Sequence, residues 1–186
     1  MIGYDKLQEY GLYFGKQSFY DLIKSIGGQW NDTKERPIVC MMKALDYSGI
    51  YWAVPIGNWE HRSEEAKARI KRFMSLPDND LRSCYYHVGK TDIKSIFFIS
   101  DVIPIIDEYL EREYQGTYTH KHYIIQNKIL IQELTRKVRR IISFERGKPN
   151  YFRQRITDIK VRLISELNND DVVSKITKND KERTLV

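Results

Sequence analysis

The chain has 186 residues and a mass of 22.2 kDa, about one domain's worth, and its 41% hydrophobic fraction supports a core and excludes wholesale disorder. No apolar run approaches eighteen residues, and the N-terminus carries acids in place of a basic head and apolar stretch; neither a membrane span nor a secretory signal is expected, and the cytosol is the expected compartment. Cys40 and Cys84 form no CxxC pair, which argues against a disulfide scaffold or a cysteine-based zinc site.

In chain order, Leu12 to Phe14 reads as an opening strand, followed by a helix capped by Ser18 with Phe19, Leu22, Ile23 and Ile26 on one face and Gly27-Gly28 as its stop. Asn31 to Arg36 is a polar loop. Two apolar segments, Pro37 to Asp46 and Gly49 to Ile56, flank a turn signal and predict an antiparallel hairpin. Gly57 to His61 reads as an exposed loop, and Ser63 caps a charged helix to about Phe73. Ser83 to Val88 and Lys94 to Ser100 predict a second hairpin around Gly89 to Asp92. Val102 to Ile106 continues the sheet, Asp107 to Tyr114 is a short helix, and Gln115 to Thr119 is a turn.

The second half changes character. Ile131, Leu134, Val138, Ile141 and Ile142 repeat at helical spacing, with Arg136, Lys137, Arg139 and Arg140 on the remaining faces. Gly147 to Pro149 breaks that helix, and Ile156, Ile159, Leu163 and Leu167 define a last one. Residues 1–167 form one domain, and 168–186 read as a polar, flexible tail. Strands first and helices after predict an α+β class: a small antiparallel β-barrel with flanking helices and a basic helical C-terminal half.

Charge is unevenly placed. From Lys121 to Arg162, twelve Lys and Arg stand against three acids, Glu133, Glu145 and Asp158. That excess of nine, within a total of +6, leaves the rest of the chain at −3. A basic lobe on a mildly acidic body is the footprint of a polyanion binder. Lys121, Lys128, Arg136, Lys137, Arg139, Arg140, Lys148 and Arg153 are the candidate RNA contacts.

Among motifs, Gly89-Lys90-Thr91 is no phosphate loop, because position 84 is Cys and the segment joins two strands. His120 and His122 lack evident metal partners, and no metal or cofactor is expected. Arg36, Asn58, His61, His87, Lys94 and Ser95 lie at strand ends and in loops of separate hairpins, and a curled sheet would bring them to one concave face. Cleaving RNA without a metal needs a base for the 2′-hydroxyl, a cation for the phosphorane and an acid for the 5′-oxygen, roles open to such residues.

The segments "ERPIVCMM", "GIYWAVPIGNWEH", "YYHVGKTDIKSIFFISDVIPI" and "DEYLEREY" resemble the toxins of type III toxin–antitoxin systems, the ToxN/AbiQ family, and within it the CptN/TenpN branch. The resemblance spans about Leu12 to Leu167. It implies a barrel like that of the MazF/Kid toxins and a metal-independent endoribonuclease leaving a 2′,3′-cyclic phosphate and a 5′-hydroxyl. It also implies an antitoxin RNA pseudoknot as inhibitor, which the toxin processes from a repeated precursor, in an RNA-bridged hetero-oligomer serving phage defence, with cellular or phage RNA as substrate. Gly57 and Asn58 stand where relatives usually carry Ser or Thr, so a hydroxyl role there is lost. A non-catalytic nucleic-acid-binding module using the basic helices is the alternative.

Overall fold

The structure is a computed structural model describing residues 7–30 and 36–183, with side chains to residue 169. Most of the Asn31 to Arg36 loop therefore lies outside the described residues. It is an α+β fold in which one antiparallel sheet of seven strands packs against helices. The strands are β1 (Leu12–Gly15), β2 (Ile38–Lys43), β3 (Tyr51–Asn58), β4 (Tyr86–Lys90), β5 (Lys94–Phe98), β6 (Ile103–Ile105) and β7 (Leu110–Glu113). The helices are α1 (Gln17–Ser25), α2 (Glu64–Met74), α3 (Lys128–Gly147) and α4 (Ile156–Arg183). Among the described residues none of these helices is long and apolar enough to cross a membrane.

Both predicted hairpins form. β2 and β3 pair from Ile38↔Pro55 to Lys43↔Tyr51, with a bulge between Cys40 and Met42. Their turn contains Gly49 at φ 85°, a conformation that costs a residue without a Cβ little. β4 and β5 pair from Tyr86↔Phe98 to Lys90↔Lys94. The sheet order is β4-β5-β3-β2-β1-β7, with β6 on β3. Strands β4 and β7 sit at opposite ends of that order, so the sheet is open where a closed barrel is expected from the sequence.

β3 is the strand on which the others are assembled. One edge pairs with β2; the other pairs with β6 over Tyr51 to Ala53 and with β5 over Ile56 to Asn58. Pro55 falls in the gap between those two partners. The Ile56 amide donates to the Pro37 carbonyl on the β2 side at 3.0 Å, so by strand alternation the Pro55 nitrogen faces the other edge, in the stretch between β5 and β6 that neither occupies. A proline can stand inside a sheet where no N–H is required.

Three elements differ from expectation. Gly57 and Asn58 belong to β3, paired with Ile96 and Ser95, and the next residue, Trp59, is buried. Asp107 to Tyr109 makes one 3-10 turn, after which Leu110–Glu113 is a strand, because β1 offers an edge whose ladder can be completed. The last helix passes Leu167 and runs to Arg183, a stretch without Gly or Pro to stop it. Helix starts are set by caps: Ser63 Oγ accepts from the Ala66 amide and Asn127 Oδ1 from Ile129 and Leu130. Ser18 is not a cap; α1 starts before it, at Gln17.

Two cores result. The main one joins β1, β2 and β3 to the inner faces of α3 and α4, through residues such as Val39, Val54, Leu134, Ile141 and Leu163. A smaller one, Trp59, Ile70 and Ile96, lies under α2. The loop between α3 and α4 is fastened by Glu145, which is buried and accepts from the Asn150 and Tyr151 amides at 2.6 and 3.2 Å and from Thr157 Oγ1 at 2.8 Å. Hydrogen bonds to a charged acceptor contribute about 1.5–3 kcal/mol each, and Ala would strand the two amides. Glu145→Ala should therefore lower unfolding free energy by about 3 kcal/mol in urea titration, whereas a loss below about 1 kcal/mol would mean the loop is held elsewhere.

Candidate RNA-binding cleft

A cleft of 520 Å³ opens beside the gap in β3, walled by Pro55 and by the β5–β6 connection through Phe98, Ser100 and Asp101. Four arginines line it: Arg36 before β2, Arg62 after β3, Arg69 on α2, and Arg153 from the α3–α4 loop. Aromatic faces complete the wall. Phe98 lies under two guanidiniums, with Arg36 Cζ 5.3 Å and Arg62 Cζ 5.9 Å from its ring centroid. Tyr86 stacks on Phe73 at 5.9 Å and 11°, and meets Phe98 edge-on at 6.2 Å, as their register pairing across β4 and β5 dictates.

The electrostatics are lopsided. Among the described residues Asp101 is the one carboxylate in the lining, and it pairs with Arg153 at 2.9 Å. Arg62 Nε is held by the Asn58 carbonyl at 3.4 Å. Burial and the nearby Arg62 draw the Arg36 pKa below the usual guanidinium value. Like charges held together in a partly dry cleft favour an anion between them, and guanidiniums match phosphate geometry in paired hydrogen bonds. Tyr85, Tyr86 and Phe152 offer ring surface on which a base could stack. Gln154, buried behind the cleft, donates through Nε2 to the Ser100 and Val102 carbonyls, both at 2.9 Å, and so locks the connection that carries Asp101.

The six residues predicted to act together divide into three places. Arg36 is in the cleft. Asn58, His61 and Lys94 form a separate cluster outside its lining: His61 Nε2 lies 3.4 Å from Asn58 Nδ2, and Lys94 Nζ lies 4.0 Å from Glu60 and 5.9 Å from the Trp59 ring. His87 and Ser95 are on the opposite face of the β4–β5 hairpin. There His87 packs near Phe97, and Ser95, 1% exposed, bonds Thr91 Oγ1 at 2.8 Å. The one concave face expected from the sequence is thus not formed, because the two-residue period of the strands sends these side chains to different sides.

The predicted RNA contacts divide as well. Lys121, Lys128, Arg139 and Lys148 are exposed, whereas Arg136 pairs with Glu133 at 3.0 Å and Arg140 reaches Cys84 Sγ at 3.7 Å. Lys137 is not on an open face. It is buried, and its ammonium donates to the Tyr86 carbonyl at 2.8 Å across the α3–sheet interface. Arg153 joins the cleft. Arg62, Arg69, Asp101 and the tyrosines were not foreseen. The spacing of Arg69 and Phe73, four apart on a helix, and the cross-strand pairing of Tyr86 with Phe98 were the available signals. His122 is a structural pin, 3.1 Å from the Leu12 carbonyl and tilted at 56° against the Tyr13 ring at 4.8 Å.

No protein-family model matches this sequence, and no curated protein is significantly similar to it.

His87 supplies a pH-dependent term. Burial, then the ammonium of Lys137, pushes its pKa from 6.5 down to about 4. Between those values the unfolded chain binds a proton that the folded chain does not, so stability rises with pH there and is lost on acidification. Chemical denaturation across pH 4–7 should show that slope, and His87→Gln should flatten it; an unchanged slope would place the titration on another group.

Proposed function

We propose that the cleft binds an unpaired stretch of RNA and cleaves its backbone, the 2′-hydroxyl attacking the adjacent phosphorus to leave a 2′,3′-cyclic phosphate and a 5′-hydroxyl. The observation that carries this is the lining itself: among the described residues, four guanidiniums against one carboxylate, set among aromatic rings, at a gap in the sheet. Guanidiniums hold the phosphate in the ground state and meet the growing charge on its equatorial oxygens in the transition state. Base–aromatic stacking holds the flanking nucleotides at about 1–3 kcal/mol each. The exposed Lys121, Lys128, Arg139 and Lys148 extend the phosphate track outside the cleft, and Asn58, His61 and Lys94 continue it at the other end.

The sequence resemblance to ToxN/AbiQ toxins supports the same chemistry. On that reading the chain is a type III toxin, its sheet an opened relative of the MazF/Kid barrel, and a folded antitoxin RNA blocks the cleft and is itself cut. Gly57 departs from the family's usual Ser or Thr; a Cβ there would lie 3.4 Å from Phe98 and 3.8 Å from Arg62 Nη2, two residues of the cleft.

Incubating the protein with unpaired RNA in EDTA should give discrete products with cyclic-phosphate and 5′-hydroxyl ends. Arg62→Ala should cut the single-turnover rate by about 10²-fold, the usual cost of losing one preorganised donor. Arg139→Ala should leave that rate unchanged and lower the salt dependence of binding by roughly 0.7–0.9 in slope. Binding without cleavage under every condition would favour the alternative, a non-catalytic RNA-binding module.

A further inference from the structure

The proposed reaction moves two protons, and the cleft's own residues limit which groups can move them. Its lining consists of four arginines, one carboxylate, one serine, two tyrosines, one glutamine and apolar side chains. Arginine stays protonated in proteins, so it can stabilise charge but cannot take a proton. Among the described residues the lining contains no histidine or lysine, and His61 and Lys94 stand outside it. Asp101 carries the lining's one carboxylate among the described residues, a group that can accept a proton.

We propose, on the footing of the RNA-cleaving cleft above, that Asp101 is the general base for the 2′-hydroxyl and Tyr86 the general acid for the departing 5′-oxygen. Asp101 is placed for the task. It lies in the 3-10 turn Ile99–Asp101 between β5 and β6, fixed from behind by the two Gln154 hydrogen bonds. Arg153 engages its Oδ2, and Oδ1 has no hydrogen bond among the described residues. Tyr86 is immobilised by Phe73 and Phe98. Tyr86 and Asp101 both line the cleft, together with Arg69 and Arg153. Burial raises the Tyr86 pKa, which keeps the phenol protonated and able to donate.

The step balances without a co-reactant. Asp101 takes the 2′-hydroxyl proton as the 2′-oxygen forms its bond to phosphorus. The bond from phosphorus to the 5′-oxygen breaks, and Tyr86 Oη gives that oxygen a proton. The proton gained by Asp101 equals the one lost by Tyr86, and exchange with solvent restores both groups. Arg36, Arg62 and Arg69 remain charged throughout.

The test uses a short unpaired RNA and the same RNA with sulfur in place of the bridging 5′-oxygen at the cleaved bond, because a thiolate leaves without protonation. Tyr86→Phe should slow single-turnover cleavage of the oxygen substrate by about 10²–10⁴-fold, the usual span of acid–base assistance, and restore a near-wild-type rate on the sulfur substrate. Asp101→Asn should slow both substrates by a similar factor. Both variants should bind a 2′-deoxy analogue within about threefold of wild type, which also reports that they are folded. Equal loss on both substrates in Tyr86→Phe, or a near-wild-type rate in Asp101→Asn, overturns the assignment while leaving the cleft's RNA chemistry standing. If the wild-type protein neither binds nor cleaves RNA, the functional reading of the cleft itself fails.

Discussion

The handover of partners along one edge of β3 is the constraint on which the site depends. β5 pairs with the strand's far end and β6 with its near end, and the connecting residues 98–102 must leave the sheet between them. A main-chain amide facing that gap would be left without a ladder partner, and Pro55 removes it. The detour carries Phe98, Ser100 and Asp101 outward, and Gln154 ties its carbonyls from behind. The cleft is therefore a consequence of strand pairing, and its floor is as rigid as the sheet.

The β4–β5 hairpin then sorts polar groups by face. Tyr86 and Phe98 point to the α2 side, where the arginines gather over them; His87 and Phe97 point to α3, where Lys137 is buried against a carbonyl. The two sides treat charge differently. Towards α3, the ammonium and the imidazole are desolvated together and the imidazole gives up its proton. Towards α2, guanidiniums cannot lose theirs, so crowding must be relieved by an anion. The Asp101–Arg153 pair relieves part of it and leaves Arg36, Arg62 and Arg69 without a carboxylate in ion-pair range among the described residues.

The sequence made the local elements plain. Alternation and turn residues marked both hairpins, and Ser63 and the Gly147 break marked helix ends, because those signals are contained in a few neighbouring residues. Features that depend on distant partners were hidden. Leu110–Glu113 is a strand only because β1 needs a neighbour, and the openness of the sheet is decided by whether its two end strands meet. Of the cleft, Arg36 and Arg153 were visible as basic residues, but nothing in their local sequence says that Arg62, Arg69 and Asp101 join them. The histidines drew notice by residue type, and packing sends them elsewhere: His87 behind the hairpin and His122 against Tyr13.

The basic half is also less of a separate lobe than its composition suggests. Asp46, on the β2–β3 turn, meets Lys160 and Arg146; Asp101 meets Arg153; and Glu133, Asp158 and Glu166 hold Arg136, Arg155 and Arg162. Lys160, Arg146 and Arg153 are thus engaged across the seam between the halves, while Arg136, Arg155 and Arg162 pair locally along their own helical segments. Most of these pairs are partly exposed and contribute little to stability individually. The pairs across the seam orient one half on the other. Arg153 reaches the cleft through this seam, while Arg36, Arg62 and Arg69 come from the first half, so neither half alone carries the full set. A cation cluster assembled from both ends of the chain exists only when the whole domain is folded, which couples the site to global stability and not to any single helix.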